Sequence, residues 1–427
     1  MPGVALISID GLSAALLADP GLRVPALRGL AARGVLAAGL RPAFPTVTWP
    51  CHTTLVTGVA PARHGILGNE VFDRATGRLL CHEGDRSGTT PRVPTLWDAA
   101  AGAGLRAAAL CWPQTRGVAA LADNVPEFLD QDLFEAWASR PLWDEARALG
   151  LPVARYAEWS TVRTLAPLQD WLTLELSRHV LRRRPPELLL VHFLMVDSFQ
   201  HEFGPASPEA RWALEQVDGL VGTLLADLDA AGRLERTDVV VVGDHGFVGV
   251  SRRSLPNDAL RAAGLLRVDA AGYVIGGAAR VAANGGSAHV YVAGGPRVQA
   301  RAREVLEATP GVGEVLGPGA FGGLGLPRPE QDPTQGDFVL HAAEGWFFTS
   351  HATPERAASA RDYRGTHGHR PDDPRLHAGF VAAGPSIVAG GKAGVLDQRD
   401  VAPTVAAMLG LKLPTAERAP SPLVLAR

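Results

Sequence analysis

Three cysteines in 427 residues, Cys51, Cys81 and Cys111, are too few and odd in number for a disulfide framework. The fold must therefore be held by its core, and a reducing compartment is allowed. Lysine is scarcer still: Lys392 and Lys412 are the only two, and arginine carries the rest of the basic charge. Charge of one sign is also missing, since 41 Lys and Arg against 44 Asp and Glu leave a formal −3. That balance gives no general pull toward polymeric nucleic acid or anionic lipid, so a charged ligand must be held locally. No apolar run approaches the roughly 18 residues of a membrane span. Met1-Pro2-Gly3 leads straight into Val4 with no basic segment or cleavage-site pattern, so a cytoplasmic chain without a membrane partner is expected. There is no internal repeat and no low-complexity linker. What is present is globular: 46% hydrophobic and 20% charged residues can build one large core or two ordinary ones.

Short apolar runs recur at Val4 to Ile9, Leu105 to Leu110, Leu188 to Phe193, Val239 to Val242, His289 to Val292 and Gly379 to Ala383. Runs of this length, Leu-rich or β-branched and bounded by Gly, Pro or Asp, suit buried strands of a parallel sheet. Helical patterns fill the gaps. Ser207 as N-cap and Pro208 at the first position open one whose Val217, Leu220, Leu224 and Leu228 form a core stripe. The alternation predicts an α/β fold, a three-layer α/β/α sandwich with ligands beyond the carboxyl ends of the strands. The chain reads as a single catalytic domain over 1–427, with cap insertions at about 114–165 and 250–350.

Several side chains at predicted strand ends can carry chemistry. Asp10, followed by Gly11, ends the first run and is placed to hold a cation, although a turn or helix cap is the plainer reading. Asp197 and His201 stand four apart, so a helical turn would point an oxygen and a nitrogen the same way. Gly243-Asp244-His245-Gly246 follows Val239 to Val242, and His367 is flanked by glycine in Gly365-Thr366-His367-Gly368-His369. Three Asp and three His in such loops are about what a two-metal site demands. Pro50 fixes φ near the start of a helix running to about Thr57, which puts Thr48 at its N-terminus. There Thr48 is either an N-cap or, beside a metal, an alkoxide nucleophile.

These segments resemble a known family. Ile7-Ser8-Ile9-Asp10-Gly11, the Thr48 segment, His64-Gly65-Ile66-Leu67-Gly68-Asn69, Asp197-x-x-x-His201, Gly243-Asp244-His245-Gly246 and Gly365-Thr366-His367-Gly368 follow in the order of the alkaline phosphatase superfamily. Within it they most resemble the type I phosphodiesterase/nucleotide pyrophosphatase family. The resemblance implies two divalent ions, zinc by family habit. Asp197, His201 and His367 would hold one; Asp10, Asp244, His245 and the Thr48 oxygen would hold the other. It further implies that Thr48 and Asn69 are catalytic: Thr48 forms a covalent phospho-threonine and Asn69 donates to a non-bridging phosphoryl oxygen. Trp49 stands where the family carries an aromatic residue against the nucleobase, so Trp49 and Asn69 are expected to bind substrate.

The implied substrate is a small phosphodiester, nucleotide or nucleotide sugar, and nothing in the sequence sets an oligomeric state. Sulfatases share part of the Thr48 spacing but carry a formylglycine precursor where Thr48 stands, and phosphoglycerate mutases of the superfamily use serine. Phosphonoacetate hydrolases share the threonine and the ligands, but grip the substrate with lysines; here both lysines lie past His367, so arginines such as Arg116 would have to substitute. A phosphomonoesterase of the same superfamily, and a metal-binding protein that has lost catalysis, are the remaining alternatives.

Overall fold

A computed structural model describes residues 3–81, 91–358 and 362–426. Eight strands form the central sheet: β1 (Gly3–Ile9), β2 (Val35–Arg41), β3 (Ala107–Trp112), β4 (Asp123–Pro126), β5 (Leu188–Phe193), β6 (Thr237–Val242), β7 (Phe380–Ala383) and β8 (Gly391–Asp397). Their order is β8-β2-β7-β6-β1-β5-β3-β4, parallel at every pairing except the two made by β7.

Every residue of β1, β3, β5 and β6 is buried, because helices cover both faces and leave no side for polar alternation. The two-residue period still sorts the side chains. Ala5, Ile7, Val191 and Val241 join Leu214, Val217 and Leu224 in one core, while Val4, Leu6, Leu190 and Val240 join Leu55, Val401 and Val405 in the other. The long helix Pro208–Ala230 opens as its sequence requires: Ser207 Oγ accepts from the Ala210 N–H at 3.1 Å.

Two apolar runs fall differently from the sequence expectation. The strand near Leu105 starts at Ala107 and reaches Trp112. His289 to Val292 lies in Ser287–Val292, part of a separate four-stranded antiparallel sheet with Ala279–Asn284, Phe338–Ala342 and Val312–Leu316. Gly285 and Gly286 turn this strand straight back onto its neighbour, so a local hairpin replaces the crossover that a parallel strand needs. Its side chains build a core of their own with Leu260, Ala302 and Leu306. In the stretch 114–165, β4 joins the central sheet as its edge, and Phe134, Trp143, Tyr156 and Trp159 pack into the core on one face. Among the described residues no helix is long and apolar enough to cross a membrane.

Candidate active site

Because β6, β1 and β5 are neighbours and parallel, their carboxyl ends open side by side. Asp10 follows β1. Gly11, at φ 69°, donates its N–H to Asp244 Oδ1 at 3.0 Å, and a Cβ there would come within 2.8 Å of the Phe247 ring. Glycine is therefore required both by conformation and by space. Asp244 and His245 follow β6, where the Gln398 amide donates to the Asp244 carbonyl at 2.8 Å. Asp197 and His201 lie one turn apart on the helix Met195–Phe203 after β5, with His201 Nε2 3.5 Å from Asp197 Oδ1. His367 arrives from the far end of the chain, its Nε2 also 3.5 Å from Asp197 Oδ1. Asp197, His201 and His367 form one cluster able to hold a cation, and Asp10, Asp197 and His245 form a second. Asp197 thus stands in both, whereas the family pattern assigns it to one.

The chemistry of this set fits metal ions. His201 Nδ1 faces the Gly365 carbonyl at 2.9 Å, His367 Nδ1 the Thr46 carbonyl at 3.0 Å and His245 Nδ1 the Gly246 carbonyl at 3.2 Å. A ring nitrogen facing a carbonyl carries the proton, so in all three the Nε2 lone pair turns to the carboxylates. Asp10 Oδ1, Asp197 Oδ1, Asp244 Oδ2 and His245 Nε2 are buried with no hydrogen-bond partner. Four converging orphaned ligand atoms are costly unless a cation satisfies them.

Electrostatics agree. Burial, reinforced by the Asp244 charge, raises the Asp197 carboxyl to about 8. Burial raises Asp244 to about 7 against the pull of backbone N–H donors, and raises Asp10 well above the carboxylate range with help from Asp244 and Asp197. Burial also holds His201 and His245 well below their usual value, hence neutral. A linkage prediction follows for chelated protein. Carboxyls whose folded pKa lies above the unfolded value of 3.8 contribute stability that is complete below about pH 4 and lost as pH rises through 7 to 8. The melting temperature of chelated protein should therefore fall by several degrees from pH 5 to pH 8, and zinc should cancel the decline. A flat chelated profile would mean these carboxyls are not forced together.

Thr48 is the first residue of the buried helix Thr48–Thr57. The N-cap is Val47, and Thr48 makes no side-chain cap bond; the capping role that its position suggests in sequence is not the one it fills. Two contacts tie this first turn to the cluster. His52 Nδ1 donates to the Thr48 carbonyl at 2.9 Å and lies 3.6 Å from Asp244 Oδ2, while Thr46 receives His367. Asn69 Oδ1 accepts from the Trp49 N–H at 3.0 Å, which sets its carboxamide beside the same turn. Trp49 itself is 4% exposed, so little of its ring is open to a ligand here.

Several neighbours escape a sequence reading. His192 in β5 is wholly buried, with Nδ1 3.0 Å from the Cys111 carbonyl and Nε2 3.4 Å from Asp10 Oδ2. Its ring is 4.2 Å from that of His52. Within Leu-Leu-Leu-Val-His-Phe it reads as core; the one available signal is an imidazole in an otherwise apolar strand. Arg163 stacks on Tyr363 at 4.4 Å, Tyr363 lies 4.6 Å from His201, and the guanidinium charge acts on both Asp197 and His201. Arg116 instead stacks on Trp137 at 4.7 Å.

The profile for "Type I phosphodiesterase / nucleotide pyrophosphatase" matches residues 4–370. Human ectonucleotide pyrophosphatase/phosphodiesterase family member 1 is 27% identical over 249 residues, 58% of this chain and 24% of that protein. An uncharacterized pyrophosphatase/phosphodiesterase of Schizosaccharomyces pombe is 27% identical over 220 residues, 51% of this chain and 39% of that one. The matches thus span well under half of either relative's length. Among solved structures, human ectonucleotide pyrophosphatase/phosphodiesterase 5 superposes with a TM-score of 0.70 at 18% identity, covering 96% of this chain and 95% of its own. The murine counterpart, an inactive threonine-to-alanine variant in complex with AMP, gives 0.70 at 19% identity, with 97% and 96% covered.

Proposed function

The chain belongs to the type I phosphodiesterase/nucleotide pyrophosphatase family, and on that premise we propose that it hydrolyses phosphodiester or pyrophosphate bonds of nucleotide-type small molecules with Thr48 as nucleophile. The observation that carries this reading is the convergence of four orphaned ligand atoms, one of them on Asp244, which His52 links to the turn that begins with Thr48. Asp197, His201 and His367 would hold one divalent ion; Asp10, Asp244, His245 and the Thr48 hydroxyl would hold a second. Such ions, zinc in the family pattern, supply the positive charge that lets a hydroxyl ionise and a phosphate anion approach three carboxylates.

The protein's own groups then have defined tasks. The Thr48 Oγ–P bond forms as the bond from phosphorus to the leaving oxygen breaks, and the leaving group departs with the proton that the hydroxyl gave up. Asn69 donates to a non-bridging oxygen, where charge grows in the transition state. In the first helical turn Trp49 donates its N–H to Asn69, Cys51 donates to Val47 and Pro50 has none, so the Thr48 N–H would be the backbone donor that meets the same anion. His52 holds the Thr48 carbonyl and thereby the first turn. Water next cleaves the Oγ–P bond and restores the hydroxyl, so one water is consumed per bond cut. The inactivity of the murine neighbour's threonine-to-alanine variant, and its complex with AMP, support both the nucleophile and the substrate class.

Substrate preference follows from charge. A monoester brings one more negative charge than a diester. Among the described residues, Arg163 acts on the cluster and is already engaged by Glu202 at 3.4 Å and by Tyr363. We expect kcat/KM at least about tenfold higher for bis-p-nitrophenyl phosphate and dinucleotide pyrophosphates than for p-nitrophenyl phosphate, where tenfold is about 1.4 kcal/mol of differential transition-state binding. Preference for p-nitrophenyl phosphate or for phosphonoacetate in the same panel would overturn the subclass. With only 4% of Trp49 exposed, Trp49→Ala should raise KM for nucleotides by about threefold, less than a full stacking contact would give, and by less for bis-p-nitrophenyl phosphate. An equal effect on both substrates would reduce Trp49 to packing.

A further inference from the structure

Asn284 ends the strand Ala279–Asn284 of the second sheet, more than two hundred residues from Asn69, yet its side chain is buried and both ends of its carboxamide are spent on one residue. Oδ1 accepts from the Glu70 N–H at 3.0 Å and Nδ2 donates to the Glu70 carbonyl at 2.9 Å. A side chain thus supplies the pair of bonds that a neighbouring strand would make, and it supplies them to the residue next to Asn69. The partner strand of the same hairpin grips the other side, where His289 Nε2 donates to the Leu67 carbonyl at 2.8 Å. Clearance is small, since a Cβ at Gly68 would fall 2.8 Å from Asn284 Oδ1. Ser350, which accepts the Ala283 N–H at 2.8 Å, donates to the Glu70 carboxylate as well.

The turn after Asn284 reaches the metal-ligand side. Gly286 donates its N–H to the His367 carbonyl at 2.8 Å; a Cβ at Gly285 would collide with that carbonyl, and one at Gly368 with the Asn284 carbonyl. One hairpin therefore touches the Asn69 segment and the His367 segment together. We propose that Asn284 is a positioning residue for Asn69: by clamping Glu70 it sets where the Asn69 amide stands relative to Thr48, so the second sheet tunes transition-state stabilisation delivered at the edge of the first. The proposal rests on the reading of Asn69 as a donor to the phosphoryl group.

A double-mutant cycle tests it. Asn284→Ala, Asn69→Ala and the double variant would be assayed with bis-p-nitrophenyl phosphate, alongside metal content and melting temperature. Asn284→Ala is expected to lower kcat by about 10- to 100-fold with KM changed less than about threefold and metal content unchanged. In the Asn69→Ala background the same substitution should cost less than about threefold, because the residue it acts through is gone. If Asn284→Ala does not fold, Asn284→Asp, which keeps the acceptor for the Glu70 N–H, must show the same non-additivity. Equal losses in both backgrounds, or a loss matched by lost metal, would overturn the proposal. A fully active Asn69→Ala protein would overturn the functional reading beneath it, and the proposal with it.

Discussion

Thr48→Ala should fold as the parent does and lose kcat for phosphodiesters by about four orders of magnitude or more, the scale seen when a covalent nucleophile is removed. The stability half of this expectation comes from the helix start. Val47 is the N-cap and Thr48 makes no capping bond, so the roughly 1 kcal/mol that a lost threonine cap costs does not apply. The activity half comes from placement, since the turn opened by Thr48 is bound to the ligand cluster through His52 and Thr46. Thr48→Ser keeps a hydroxyl and should keep measurable turnover. Melting temperature and kcat measured on the same preparations separate the roles: an active Thr48→Ala protein refutes covalent catalysis, and an unfolded one assigns the residue to structure.

Asp197→Asn should have opposite effects on the metal-free and metal-loaded protein. Asp197 lies in both candidate ligand clusters and beside His201 and His367 at 3.5 Å, so its loss should lower bound metal from two ions per chain to one or fewer. Turnover should fall by about three orders of magnitude or more, because the ion held with His201 and His367 loses its only carboxylate. In chelated protein at pH 8, by contrast, the substitution removes a carboxylate that burial and Asp244 disfavour, so the variant should melt at a higher temperature than the parent. Strain held for function and relieved by an isosteric neutral group has this signature. Elemental analysis and melting curves with and without chelator would show it; unchanged metal content, or a lower melting temperature in chelator, would contradict the assignment.

The strands that deliver the ligands were legible because β1, β5 and β6 are mostly apolar runs, with Asp10 directly after β1 and Gly243-Asp244-His245 directly after β6. That pattern is written locally. The i, i+4 spacing of Asp197 and His201 on a helix was legible for the same reason. What depends on distant pairing was not. Ser287–Val292 carries the composition of a parallel strand, and only its return through Gly285–Gly286 places it in the antiparallel sheet; the Asn-Gly-Gly-Ser sequence was the available hairpin signal. His192, His52, Arg163 and Asn284 sit in ordinary helices and strands, and their importance comes from what lies opposite them in space. Thr48 was placed correctly at a helix start, but which residue caps that helix depended on one backbone angle, at Val47.

The central claim is double displacement at phosphorus through Thr48, and stereochemistry tests it most directly. Each in-line attack inverts phosphorus, so two successive attacks retain its configuration. A phosphorothioate diester of known configuration, hydrolysed in ¹⁸O-labelled water and read by ³¹P NMR, should give product with retention. Inversion would show that water attacks the diester in a single step and would contradict the account.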